Sequence, residues 1–270
     1  MRYLILGAGY VGRSFMRAQP DLKNNFTATT TSSKHVVELL QIAAQVEIFC
    51  HPSRDRLLEL VSSADVIVVC FAPKDGDASS YLTLAEDLYA VISSLKERKY
   101  LLYTSSTFVY AGVSEDVADE TIPLRPSDEK AKILVKTEEA LLSLQSDVCD
   151  VCVLRLGGIF GPERDLVSRA KRMSGKILAG TGDEPTNHIH VDDVVGFSMF
   201  CIERRLAGIF NVVMPFHPSR NQLYGGLCKE LGIKEPIFSS EMKIEHGCGV
   251  VVSGQKLSNR GYMLKHTHLH

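Results

Sequence analysis

The chain has 270 residues, with 30 Lys+Arg against 32 Asp+Glu; a net charge of −2 removes the long-range field that a nucleic-acid binder needs. Its composition is 45% hydrophobic, and no apolar run approaches the roughly 18 residues of a membrane span. A soluble globular protein that meets neither nucleic acid nor membrane is therefore expected. Seven cysteines, odd in number and scattered, together with an N-terminal apolar run that ends in glycines and has no signal-peptide cleavage site, predict reduced thiols in a cytoplasmic chain.

In chain order, RYLIL (2–6) reads as a first strand. The loop Gly7-Ala8-Gly9-Tyr10-Val11-Gly12 follows, then a helix near 10–19. Further strands are expected at 25–30, 46–49, 65–71, 100–105, 149–156 and 208–213. Helices are expected near 33–44, 53–62, 78–98, 127–145, 192–204 and 219–231. Continuous Val/Ile/Leu runs mark strands covered on both faces, and their alternation with helices predicts a doubly wound α/β fold, a Rossmann parallel sheet. Past residue 157 the regularity weakens. The expected division is a dinucleotide-binding core over 1–157 and a smaller substrate lobe over 158–270, interleaved with the last strand and helices. Cys149 and Cys152 form a C-x-x-C, but within VCDVCVLRL they read as buried strand residues. The tail carries His266, His268 and His270. A metal site would need a fixed backbone and further ligands, so the tail is expected to fray and no metal is expected.

A G-x-G-x-x-G between a first strand and a helix suits a dinucleotide. Its glycines allow a tight turn and close approach of a pyrophosphate to the helix N-terminus. An NAD site usually places an acid about 20 residues on, to grip the ribose. Here TATTTSSKH (27–35) has no carboxylate. Thr31, Ser32, Ser33 and Lys34, with Arg13 in reach, would suit a 2′-phosphate, so NADP is favoured over NAD. The same residues could also start the next helix, with Ser32 or Ser33 as its N-cap.

Four more stretches follow in order: YTSSTFVYAG (103–112), LRLGGIFGPERD (154–165), NHIHVDD (187–193) and FNVV (210–213). With the glycine loop they resemble the extended and atypical short-chain dehydrogenase/reductase superfamily of the NAD-dependent epimerase/dehydratase type, near its small nucleotide-sugar epimerase-like members. The resemblance implies a seven-stranded Rossmann core. It implies that Ala72 and Pro73 border the adenine side of the cofactor, that Thr104, Ser105 and Ser106 flank the nicotinamide, and that Gly157 and Gly158 close over that ring. It also implies that His188 stands where many relatives have an arginine near substrate.

The family's usual engine is Ser/Thr with Tyr-x-x-x-Lys, in which the ammonium lowers the phenol's pKa. Ser106 matches the serine. None of the nine tyrosines has a lysine four residues on, and the expected window, 125–142, has no tyrosine. Lys130, Lys132 and Lys136 lie there without the phenol they would tune. Thr107 and Phe108 replace the acids of dehydratases. Tyr110, His188 or His190 could substitute as acid or base, though His190 also suits a structural bond to Asp192 or Asp193. Arg164 could hold a substrate phosphate bidentately, whereas Arg155, beside a buried strand, is expected to be paired structurally. The expectation is an NAD(P)-dependent epimerase-like oxidoreductase acting on a nucleotide sugar or small polar carbonyl or hydroxyl metabolite, with Ser106 catalytic. The alternative is a non-catalytic NADP(H)-binding sensor. A monomer or a homodimer is compatible with the charged helix near 127–145.

Overall fold

The computed structural model describes residues 1–50, 53–71, 79–126, 128–242 and 249–269. In chain order its elements begin β1 (Tyr3–Leu6), α1 (Tyr10–Arg17), β2 (Phe26–Thr30), α2 (Val36–Leu39), β3 (Gln45–Ile48), α3 (Arg54–Ser62) and β4 (Val66–Val69). They continue α4 (Ser79–Ser93), β5 (Lys99–Ser106), β6 (Val117–Ala118), α5 (Glu129–Leu142), β7 (Cys149–Leu156), β8 (Gly158–Phe160) and α6 (Leu166–Met173). The last are β9 (Ile177–Ala179), β10 (His188–His190), α7 (Val191–Glu203), β11 (Gly208–Val212), α8 (Gly226–Glu230), β12 (Ile237–Ser239), β13 (Val251–Val252) and α9 (Gln255–Asn259).

Seven strands form one parallel sheet in the order β11-β7-β5-β4-β1-β2-β3. Sequence order reverses between β1 and β4, where Tyr3 pairs with Val66 and Leu6 with Val69. In an open α/β sheet this switch point is where ligands bind, beyond the strands' carboxyl ends. Every residue of β1, β4 and β7 is buried; the runs of β1 and β4 are apolar throughout, and in β7 the charged Asp150 and Arg155 are buried in ion pairs with Arg205 and Glu138. Cys149 and Cys152 are among them as free thiols, and burial pushes the Cys149 thiol up to about 11.

Two compact units form, each from three segments. The first is Met1–Ser105, Lys132–Arg155 and Val194–Phe210; the second is Ser106–Ala131, Leu156–Asp193 and Asn211–His270. This differs from a cut at 157/158, because side-chain and strand pairing gather distant segments. In the second unit β6 pairs with β13, and the Tyr110 hydroxyl reaches Asn211 Oδ1 at 2.8 Å. In the first unit Leu4, Leu57, Ile67, Leu88, Leu101 and Val153 share one core.

Two expected helices come out shorter. The stretch 33–44 is a 3₁₀ turn, Ser33–His35, followed by the single α turn α2. By Ala44 the backbone amide already donates to the Phe26 carbonyl, so the chain has entered the sheet. The stretch 219–231 splits into a π turn, Asn221–Gly225, and α8. Helix α6, the two-stranded pairs β8–β10 and β9–β12, and β13, which pairs back to β6, lie in the region where regularity weakens along the sequence.

Candidate active site

The first unit holds a cavity of about 250 Å³ at the ends of β1 and β4, lined by the glycine loop, Arg13, Thr31, His35 and Cys70 among others. The three glycines do different work. Gly7 has φ +91°, and a Cβ there would lie 2.7 Å from the Phe71 backbone. A Cβ at Gly12 would lie 2.9 Å from the Gly7 carbonyl and 2.9 Å from the Ile5 side chain, so α1 packs tightly on β1. At Gly9 a Cβ would meet nothing within 4 Å; this backbone faces open space in the cavity. That is the division of labour a dinucleotide loop needs. Tyr10, Val11 and Gly12 form the first turn of α1, whose N-cap, Gly9, supplies no side-chain oxygen.

Beyond β2 the two readings of TATTTSSKH are both visible. Ser32 caps the 3₁₀ turn, its hydroxyl accepting from the Lys34 amide at 3.4 Å. Thr31 lines the cavity, while Ser33 and Lys34 are exposed and do not. The nitrogen-bearing side chains that do line it are Arg13 and His35. Both lean on one acid from α2: Glu38 lies 3.5 Å from Arg13 and 3.9 Å from His35, and it also binds Arg17 at 2.7 Å. Two guanidinium groups against one carboxylate leave this rim positive. Burial pushes the Cys70 thiol up to about 12, so it stays protonated. Ala72 and Pro73 lie outside the described residues.

The second unit holds a cavity of about 240 Å³, with Ser106, Gly157, Gly158, His188, Arg169 and Tyr224 in its wall. The Ser106 Oγ accepts from the Phe108 amide at 3.1 Å, so its own proton is available for an oxygen in the cavity. Gly157 and Gly158 let β10 approach β8. A Cβ at Gly157 would lie 2.9 Å from the Asn187 carbonyl, and one at Gly158 3.2 Å from the His188 ring. His188 is buried with Nδ1 unpartnered, and its Nε2 lies 3.5 Å from the Arg169 guanidinium. Burial, then the charges of Arg169 and His217, pushes its pKa down to about 4. Its imidazole is therefore neutral at ordinary pH, and the always-charged Arg169 donates to Nε2.

Arg220 also lines this cavity, fixed by the Ala179 carbonyl and by Glu184 at 3.6 Å. Arg169 has no carboxylate partner among the described residues, and none of the lining residues is acidic.

Other expected residues are placed elsewhere. Arg164 lies exposed in the turn after β8 and does not line the cavity; Arg169 and Arg220 do. The Ser105 hydroxyl donates to Glu138 at 2.5 Å, inside the first unit. Glu138 also pairs with Arg155 at 2.7 Å, both side chains almost wholly buried, which makes Arg155 structural as expected. Thr104 donates to the Val69 carbonyl at 3.1 Å. Tyr110 is buried with its hydroxyl 3.0 Å from the Asp119 carbonyl as well as near Asn211, so it is a packing and bonding residue of the second unit. His190 Nδ1 accepts from the Asp192 amide at 3.2 Å, a structural bond of the kind expected. Burial and the nearby His266 lower its pKa. Among Lys130, Lys132 and Lys136, none lines the cavity. The tail does not fray through His266: the buried Asp193 carboxylate accepts from the Lys265 and His266 amides at 2.7 and 2.9 Å.

Arg169, Arg220 and Tyr224 escaped the sequence reading. A signal for Arg169 was present: Asp165 caps α6, accepting from the Ser168 amide at 2.6 Å, ahead of Leu166 and Ala170 at helical spacing. Arg220 and Tyr224 sit at a π turn, a local form that no sequence rule marks but that is frequent at functional sites.

A family model described as the NAD dependent epimerase/dehydratase family matches residues 3–212. Protein YeeZ of Escherichia coli strain K12 is 30% identical over 206 residues, which cover 75% of this chain and 71% of that protein. UDP-glucose 4-epimerase of Thermotoga maritima, solved with UDP-glucose, has TM-score 0.78 at 19% identity, over 98% of this chain and 94% of that one. Human epimerase family protein SDR39U1 (isoform 2), solved with NADPH, has TM-score 0.76 at 17% identity, over 100% and 96%. Bordetella bronchiseptica WbmG, solved with NAD, has TM-score 0.76 at 19% identity, over 100% and 90%. At these identities the three structures share the fold. Among the described residues no helix is long and apolar enough to cross a membrane.

Proposed function

The chain belongs to the NAD dependent epimerase/dehydratase family, and from that premise we propose a cytoplasmic NADP(H)-dependent oxidoreductase or epimerase. Its substrate is a hydroxyl or carbonyl metabolite that carries an anionic group, nucleotide sugars among them. The observation that carries the reading is the glycine loop: two glycines are demanded by packing and the third leaves its backbone open to the cavity. That cradle fits a pyrophosphate, held by the first turn of α1 from Gly9 through Gly12. Arg13, Thr31 and His35 would take a ribose 2′-phosphate, with the exposed Lys34 adding positive charge nearby and Ser32 and Ser33 offering hydroxyls. When bound, the nicotinamide supplies hydride-transfer chemistry.

The chain's own groups would do the rest. The Ser106 hydroxyl donates to the reacting oxygen. Arg169 and Arg220 hold the substrate's anionic group, since a cavity with two guanidinium groups and no acid in its wall favours an anion. Tyr224 supplies the one phenol in that wall and would take the proton-transfer part left vacant by the missing Tyr-x-x-x-Lys. Neutral His188, with Nε2 turned to Arg169, orients that guanidinium. A wall of hydroxyl, phenol, imidazole and guanidinium groups favours an enzyme over a sensor. The reading is tested by titrating NADPH and NADH and by screening nucleotide sugars, sugar phosphates and small keto acids with the tighter cofactor. On the substrate found, Ser106→Ala and Tyr224→Phe should each lower turnover by about 10²–10⁴-fold with cofactor affinity unchanged. Full turnover in both variants refutes the catalytic assignment. Tight cofactor binding with no turnover across the screen turns the reading to the sensor.

A further inference from the structure

Three side chains that no part of the proposed reaction uses meet in the second unit. His190 ends β10, Asp192 lies in the first turn of α7, and His266 arrives from the C-terminal tail. The two imidazole rings stack with centroids 3.7 Å apart. Asp192 Oδ2 lies 3.5 Å from His190 Nδ1 and 3.5 Å from His266 Nε2. One ligand atom from each residue falls within 4.8 Å of the other two. The backbone of His266 is fixed by its amide's bond to the buried Asp193 carboxylate. The two conditions missing for a histidine tail alone, a fixed backbone and further ligands, are therefore both met.

The two N···O spacings match a metal's demands, and the third separation lies within 4.8 Å. A tetrahedral ion with ligand bonds of about 2.1 Å holds neighbouring ligand atoms about 3.4 Å apart, and both N···O separations are 3.5 Å. We propose that His190, Asp192 and His266 form a binding site for a divalent transition-metal ion of the zinc type, with water as fourth ligand, which clips the C-terminal tail to the start of α7. Two imidazoles and one carboxylate suit such an ion. Magnesium and calcium prefer all-oxygen sets. Binding would exchange the 3.2 Å hydrogen bond from the Asp192 amide to His190 Nδ1 for a metal bond. Asp192 is exposed, so its amide can pass to water. His190 is absent from the wall of the Ser106 cavity, so the ion's role is structural.

The test uses the full chain, with zinc followed by calorimetry and thermal melting and cobalt(II) as a spectroscopic probe. The expected result is one equivalent of bound zinc, a raised melting temperature, and a tetrahedral cobalt spectrum without thiolate charge-transfer bands, which excludes the cysteines. His266→Ala should weaken the metal by more than the 10–100-fold typical of losing a group that merely supports a ligand. His268→Ala should leave it unchanged. If His266→Ala is unstable, Asp192→Asn at the exposed ligand gives the same reading. No binding by the wild type, thiolate bands in the cobalt spectrum, or wild-type affinity in the ligand variants overturns the proposal and leaves an imidazole–carboxylate contact.

Discussion

Replacing the three loop glycines one at a time separates their roles, because the space around each differs. At Gly7 an alanine must adopt φ near +91° and place its Cβ 2.7 Å from the Phe71 Cα. The left-handed backbone costs about 1–2 kcal/mol and the forced contact with immobile backbone about 1–3 kcal/mol. Together these give roughly 2–5 kcal/mol. At about 2 °C per kcal/mol for a chain of this size, the melting temperature should fall by about 4–10 °C. Gly12→Ala meets the Gly7 carbonyl at 2.9 Å but gains helix propensity, so its net cost is smaller, up to about 2 kcal/mol. Gly9→Val is the opposite case. Its backbone, at φ −79° and ψ −151°, is extended, and its side chain enters empty space. Stability should change by less than about 0.5 kcal/mol. The valine fills the room reserved for the pyrophosphate, and losing one charge-assisted bond there costs about 1.5–3 kcal/mol, a 10- to 150-fold loss of NADP affinity. Thermal melts and calorimetric titration with NADPH on the same preparations read both quantities. A folded Gly9→Val protein with wild-type affinity, or a Gly7→Ala protein with wild-type stability, would refute this account of the loop.

Further outcomes follow from the charges. Glu138→Ala removes the carboxylate that faces the buried Arg155 guanidinium at 2.7 Å, so it should cost about 3–5 kcal/mol in urea unfolding, while the double change Glu138→Met/Arg155→Met should recover most of that. A Glu138→Ala protein as stable as wild type would show that the pair contributes nothing. His188 has a folded pKa of about 4, below the unfolded value of about 6.5, so the unfolded chain binds a proton that the folded chain refuses. Stability should therefore fall as pH drops from about 6.5 to 4, by up to about 3 kcal/mol from this group. His188→Asn should flatten that slope, and an unchanged slope would contradict the assignment. Arg13→Ala should cut NADP affinity by about 10- to 150-fold and leave NAD nearly unaffected, whereas Lys34→Glu, at an exposed position outside the cavity wall, should change the preference less. Equal loss for both cofactors in Arg13→Ala would remove the 2′-phosphate reading.

The sheet was legible because its signals are local. Strands buried on both faces, such as VIVV and the mostly apolar CDVCVLRL, read as near-continuous apolar runs, and a glycine loop between a strand and a helix has few other uses. The same holds for the cysteines of β7, whose neighbours already mark the strand as core. What sequence could not settle were the arrangements made by residues far apart in the chain. Ser105 and Ser106 are adjacent, yet one hydroxyl is bonded to Glu138 and the other opens on a cavity, because alternate residues of a strand face opposite sides. Arg164 and Arg169 are five residues apart. The first is left in an exposed turn, whereas the second is carried to the cavity by a helix whose start Asp165 fixes. The C-terminal histidines read as a loose tail until Asp193 is seen to hold the amides of Lys265 and His266. Strand identity follows from the burial of neighbouring residues, and so sequence determines it. Which polar groups converge depends on non-local pairing, where each buried charge or amide must find a partner, and only the folded chain decides that.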